Sequence, residues 1–193
     1  MRKFAISLAA IALATAAQAQ TSRPSGSPNA AHTYGLVSLG QSRLNTDCTG
    51  LNACDRNALG GKAVFGYAFG NGLSLEGGYT NFGKFHASRG LLGLNAKPDA
   101  LHVGGAYSAN LTPDWGVVGR LGVARVRTKL HAEAGTLSGS DSESKTQPIV
   151  GVGVNYALNP STRVELGVDT TRAHYLGERH NVRMVSLGAR MAF

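Results

Sequence analysis

The feature that most constrains this chain is a period-two alternation of side chains. It runs through eight segments of roughly 10 residues each. Successive side chains of a strand point to opposite faces, so each segment predicts a strand with one apolar face and one face of small, polar or charged residues. Val182–Phe193 shows it most plainly. Phe193, Met191, Ala189, Leu187 and Val185 share one face, while Ala192, Arg190, Gly188, Ser186 and Met184 share the other. The chain then stops on an aromatic residue. A soluble protein rarely ends mid-strand on an exposed Phe. A closed transmembrane barrel has reason to, because its last strand must pair with its first to leave no open edge in lipid.

The same pattern recurs along the sequence. His32–Arg43 is the first expected strand. Gly61–Phe69 and Leu73–Gly83 form a hairpin about Gly70-Asn71-Gly72, a tight-turn signal. Asp99–Leu111 and Trp115–Thr128 flank Thr112-Pro113-Asp114, and Pro148–Leu158 and Ser161–Arg172 flank Asn159-Pro160. Between the pairs lie long polar stretches, Leu44–Gly60, Lys84–Pro98, Lys129–Gln147 and Ala173–Asn181, which read as loops. Strands of this length cross a tilted bilayer. Short turns alternating with long loops fit an outer-membrane barrel with periplasmic turns, extracellular loops and both termini in the periplasm. Phe69, Trp115, Tyr156 and Phe193 gather on the short-turn side as an interfacial aromatic belt. The expected fold is all-β: an eight-stranded antiparallel up-and-down transmembrane β-barrel.

The N-terminus indicates export. Arg2 and Lys3 precede an uncharged apolar run, Phe4–Ala17, and Ala17-Gln18-Ala19 is a small-residue cleavage site. Residues 1–19 read as a signal peptide, 20–31 as a flexible Pro/Gly/Ser-rich lead-in, and 32–193 as the barrel domain. Cys48 and Cys54 are the only cysteines. An even pair within a polar segment of an exported chain predicts a disulfide stapling a loop. The formal net charge is +8. In an exported chain that basicity points to membrane surface or lipopolysaccharide phosphate, or simply to solubility, rather than to nucleic acid.

With the apolar faces toward lipid, the interior receives Lys62, Glu76, His102, Arg120, Asn155, Arg163, Glu165, Asp169 and Arg190. Buried charges are tolerated when paired, and an eight-stranded barrel holds side chains and little else. A polar, side-chain-filled lumen follows. Arg125, Arg127 and Arg183 fall on the outward parity beside the long loops, where arginines can snorkel toward lipopolysaccharide phosphates. Catalytic signals are thin. His86, His131, His174, His180, Asp141, Ser140 and Ser142 lie in polar stretches with no nucleophile–base spacing. The six histidines show no metal-ligand spacing, so neither an enzyme nor a cofactor is expected.

Gly61–Lys84 (G-K-A-V-F-G-Y-A-F-G-N-G-L-S-L-E-G-G-Y-T-N-F-G-K) resembles the second and third strands of the transmembrane domain of outer-membrane protein A and its relatives. Gly119–Val123, Gly151–Leu166 and Val185–Phe193 fit the later strands, so the resemblance spans about residues 32 to 193. It implies insertion by the barrel-assembly machinery, which reads the terminal aromatic strand at Phe193. It implies an interior contact between a third-strand Glu and a seventh-strand Arg, here Glu76 and Arg163. Other charged interior positions of the family stand here as Ala106 and Asn155, and no peptidoglycan-binding domain follows. Small members with this plan are often adhesins or host-interaction proteins. The expected function is therefore a structural or surface-interaction role through four extracellular loops and a host or surface ligand. A narrow porin-like channel is the alternative and a barrel enzyme a lesser one. A soluble lipocalin-like barrel would require the faces to be reversed.

Overall fold

A computed structural model describes residues 30–45, 53–89, 92–134, 137–175 and 178–193. Ten strands follow one another: β1 (His32–Leu44), β2 (Ala53–Cys54), β3 (Asn57–Ala68), β4 (Leu73–Asn81), β5 (Phe85–Arg89), β6 (Leu92–Asn110), β7 (Trp115–Ala134), β8 (Leu137–Asn159), β9 (Thr162–Tyr175) and β10 (Glu178–Ala192). Eight of them, all but β2 and β5, close an antiparallel barrel. Every neighbour in sequence pairs with the next, and β1 pairs with β10 from Tyr34↔Ala192 to Leu44↔Val182. The Phe193 amide donates to the Thr33 carbonyl at 2.9 Å, extending that seam. Closure satisfies the backbone of every barrel strand without an edge, as a lipid-exposed sheet requires.

The two faces sort as the alternation predicts. Val37, Leu39, Phe65, Leu75, Leu101, Val103, Leu121, Val123, Val152, Leu166 and Leu187 lie on the outer surface, each more than half exposed. Tyr34, Lys62, Glu76, Glu165 and Asp169 are buried inside. On β7 the outward series runs from Trp115 to Arg125. At ~3.4 Å per residue and a tilt near 40°, that is roughly 26 Å of height, close to the apolar band of outer-membrane barrels. Trp115 packs against Tyr156 at a tilt, ring centres 5.0 Å apart, and Tyr67 meets Phe69 edge-on at 5.3 Å, both at the short-turn rim. In the first of those turns Gly70 and Gly72 adopt φ of 83° and 87°, a region that L side chains avoid.

The opposite end departs from the sequence reading. The stretches expected as loops are largely strand. β6, β7 and β8 continue as one ladder from Leu92↔Ala134 and Ala134↔Leu137 down into the barrel. β2 and β5 add a short ladder beside β6. Alternation persists here in a muted form. Ala96, Val126 and Thr128 stay buried, while the outward residues become Lys97, Arg127 and Lys129. Outside lipid the outer face no longer needs to be apolar, so the pattern loses its amplitude while the backbone ladder continues.

Candidate functional site

Inside the barrel, toward the short turns, charged side chains from five strands converge, joined by Tyr34 from a sixth. Arg120 (β7) is the hub. Its Nε donates to Glu76 Oε2 on β4 at 2.9 Å, and its Nη2 donates to Glu165 Oε2 on β9 at 2.9 Å. Arg120 Nη1 lies 2.8 Å from Glu165 Oε1 but off the hydrogen-bond axis. Two strand neighbours make this reach possible. Glu76 stands opposite Gly104, which stands opposite Gly122, so no side chain on β6 blocks the path from β4 to β7. Tyr34 (β1) donates its hydroxyl to Glu76 Oε1 at 2.6 Å and lies 3.0 Å from Ser74 Oγ. The Arg190 guanidinium (β10) sits 3.6 Å above the Tyr34 ring, a cation–π contact, and its Nη1 is 4.0 Å from Glu165. Lys62 (β3) donates to Asp169 Oδ2 (β9) at 2.5 Å, both side chains almost fully buried. Three cations thus face three carboxylates.

The contact implied between Glu76 and Arg163 is not the one formed. Glu76 takes Arg120 as its cation, and Arg163 donates to Asn155 at 2.8 Å and Asn110 at 3.2 Å. Register explains the difference. Arg163 lies directly opposite Arg190, two residues nearer the short turns than Glu165, so it turns toward the asparagines at that rim. Two members of the constellation carry no charge to flag them in a sequence: Tyr34, which orients Glu76, and Gly66. A Cβ on Gly66 would stand 2.3 Å from Tyr34 Cζ.

Above the charges the lumen changes character. Leu44, Phe82, Phe85, Val126, Ile149, Val182 and Met184 form a buried apolar layer across the barrel, each under 8% exposed. Its components were visible as inward-parity residues, but they stood in stretches expected as loops or at strand ends. Between the two levels, a void of about 20 Å³ remains among Glu76, His102, Arg120, Ile149 and Asp169, room for one water at most. The lumen is filled with charge pairs below and hydrocarbon above.

At the long-arm rim, Arg125, Arg127 and Arg183 are exposed on the outer face. Arg127 approaches Asp99 at 3.5 Å. Arg43 and Arg172 share the outward parity of Arg183. Among the loop histidines, His86 contacts Asn95 at 3.0 Å and His180 contacts the Asn45 carbonyl at 3.2 Å. No group of three potential metal ligands occurs among the described residues. Cys54 lies on β2, whereas Cys48 falls outside the described residues.

A closed antiparallel barrel with an apolar outer belt, a packed interior and an aromatic rim defines an integral outer-membrane β-barrel. The sequence matches the OmpA-like transmembrane domain over residues 28–193, and the chain belongs to that family. Solved structures share its fold. The attachment invasion locus protein Ail of Yersinia pestis superposes with a TM-score of 0.60 at 20% identity, over 85% of this chain and 99% of that one. Neisserial surface protein A gives 0.59 at 15% identity, over 84% and 99%. The N-terminal barrel of Pseudomonas aeruginosa OprF gives 0.54 at 13% identity, over 84% and 98%. Ail has also been solved with the heparin analogue sucrose octasulfate. No curated protein matches the sequence significantly.

Proposed function

We propose that this protein is a non-conducting surface-interaction barrel of the outer membrane, an adhesin-like presenter of its extracellular arms. The observation that carries the reading is the two-level filling of the lumen, set against a β6–β7–β8 ladder that continues beyond the apolar belt. A channel needs a wetted path. Here a layer containing Phe82, Phe85, Ile149 and Met184 covers paired charges. The arms offer cations instead. Lys97 and Lys129 stand directly opposite one another on the outer face, and a cavity of about 590 Å³ beside them is also lined by Lys84, His131 and Asp141, so three lysines face one carboxylate. Like charges directly opposed in a sheet are destabilising alone and favour an anion between them. The sulfated ligand of Ail supports the same chemistry, so the surface ligand is assigned to the sulfated or otherwise polyanionic class.

On this reading residues 1–19 direct export, both termini are periplasmic, and the barrel-assembly machinery recognises the strand ending at Phe193. Cys48 and Cys54 pair as a disulfide bracing the first extracellular segment. Lipopolysaccharide surrounds the rim arginines Arg125, Arg127 and Arg183.

The test uses the folded full-length mature protein. In planar bilayers it should show no conductance steps. In detergent it should bind sucrose octasulfate with an affinity reduced at least tenfold in Lys97→Glu/Lys129→Glu. Regular conductance steps that disappear in Glu76→Gln would replace this reading with the channel. Unchanged ligand binding in the double variant would remove the arms as the anion site.

A further inference from the structure

The outer surface carries a second cluster of cations, built in register rather than scattered. Arg43 on β1 is the direct cross-strand partner of Arg183 on β10. Arg183 is opposite Thr170 on β9, and Arg172 lies one diagonal step away, opposite Asn181. All three arginines are exposed on the outward parity. Together with Asn45, Asn181 and Thr170 they line a groove of about 570 Å³ on the outside of the barrel wall. Among the described residues no acidic side chain lines the groove, and Asp169, the nearest carboxylate in sequence, points into the lumen toward Lys62. Direct cross-strand partners hold their Cβ atoms about 4.5–5.5 Å apart and diagonal ones roughly 7–8 Å. Three guanidinium groups therefore share a patch the size of one polyanionic group, with no carboxylate among the described residues that line it.

The level of the groove specifies the ligand further. One outward row toward the short turns lies Gln41–Val185–Val168, and the next row is Leu39–Leu187–Leu166. The wall below is hydrocarbon, with Leu39 68% and Leu187 58% exposed. The arginines sit where the apolar belt ends, on the rim opposite the aromatic pairs Trp115–Tyr156 and Tyr67–Phe69. Arginine presents a planar fork that binds phosphate through two parallel hydrogen bonds, and it is more weakly hydrated than lysine.

We propose that Arg43, Arg172 and Arg183 form a binding site for a phosphate monoester, supplied by the headgroup of an outer-leaflet phosphoglycolipid whose acyl chains lie along Leu39, Leu187 and Val185. The site rests on the outer-membrane reading but not on the polyanion site of the arms, which lies on other strands. The phosphate would take bidentate hydrogen bonds from Arg43 and Arg183 and relieve their mutual repulsion. Arg172 would close the outer side.

The experiment is native mass spectrometry of the folded barrel in a neutral detergent, titrated with bisphosphorylated lipid A or with the same lipid stripped of phosphate. The triple variant Arg43→Gln/Arg172→Gln/Arg183→Gln is compared with Lys97→Gln/Lys129→Gln, and closure of every barrel is checked by the gel-mobility difference between unboiled and boiled samples. The expected result is retention of bisphosphorylated lipid A by wild type and by the Lys variant, at least tenfold weaker retention by the triple variant, and equal, weak retention of the stripped lipid by all. Equal retention of the phosphorylated lipid by wild type and triple variant overturns the site. Displacement of the lipid by millimolar inorganic phosphate overturns the lipid as source and makes the groove a site for soluble phosphate. Absence of the mobility difference in wild type is the separate outcome that defeats the membrane-barrel reading itself.

Discussion

Replacing Arg120 by Met is the most exacting test of the lumen. The substitution keeps most of the side-chain volume and removes the guanidinium that joins Glu76 at 2.9 Å and Glu165 at 2.8–2.9 Å. The side chains concerned are 10%, 5% and 2% exposed, so water cannot replace the lost partner freely. Arg190, 4.0 Å from Glu165, supplies partial compensation on one side only. Glu76 keeps the Tyr34 hydroxyl and no cation within contact. Breaking a buried pair from one side costs about 3–5 kcal/mol, because an uncompensated charge stays behind. Here two carboxylates are stranded and one is partly covered, which places the expected loss toward the middle of that range, about 4 kcal/mol. At ~1.4 kcal/mol per factor of ten, this is nearly three decades in the folding equilibrium. The assay is reversible urea unfolding in lipid vesicles, with the folded fraction read from gel mobility without boiling. The triple variant Arg120→Met/Glu76→Gln/Glu165→Gln should recover most of the loss, since neutral partners of similar volume often replace a buried ion pair at little cost. A loss below about 1 kcal/mol for Arg120→Met, or no recovery in the triple variant, would refute the hub.

Four further outcomes follow from the same geometry. Gly66→Ala should lower stability by about 1–3 kcal/mol, because the new Cβ would meet the Tyr34 ring at 2.3 Å; with the ring removed in Tyr34→Ala, adding Gly66→Ala should cost much less, measured in the same urea titration. Leu121→Arg, at a position 66% exposed on the lipid face, should cost about 2–4 kcal/mol in vesicles and far less in a short-chain detergent. Asp99→Asn, which removes the charge of a largely buried carboxylate whose contact with the half-exposed Arg127 is long, 3.5 Å, should change stability by less than about 1 kcal/mol. Thiol alkylation of unfolded protein without reductant should modify neither Cys48 nor Cys54, and both should react after reduction, as mass spectrometry would show.

The barrel was legible in the sequence because one physical requirement, hydrocarbon outside and small or polar groups inside, repeats in every strand. Leu39, Leu121, Leu166 and Leu187 each declare a face, and the eight strands follow. The pairing of interior charges was not legible. It depends on the stagger between strands, and neither the turn residues nor the alternation fixes that stagger across non-adjacent strands. Glu76 reaches Arg120 by passing over Gly104, while Arg163 falls opposite Arg190 and is left to Asn155 and Asn110. Parity alone makes Arg120 and Arg163 equivalent. The arms were missed for a different reason: once outside lipid, Lys97 and Lys129 satisfy the outer face as well as leucines do below, so the amplitude that marks a strand vanishes while its hydrogen-bond ladder remains.

The two storeys of the lumen depend on one another. Ion pairs such as Lys62–Asp169 gain strength as water is withdrawn, and lose it where solvent reaches them. At the short-turn rim Arg163 bridges Asn155 and Asn110, whereas Phe82, Phe85, Ile149 and Met184 cover the other side. The apolar layer therefore protects the charge cluster from the exterior, and the cluster in turn ties six strands together across a lumen too narrow for an aliphatic core along its whole height. Rigidity of the wall is what an exterior ladder of this length requires. Strands β6, β7 and β8 leave the membrane as direct continuations of wall strands, so the surface they present is held in place by a wall that Arg120 and its two carboxylates brace from within.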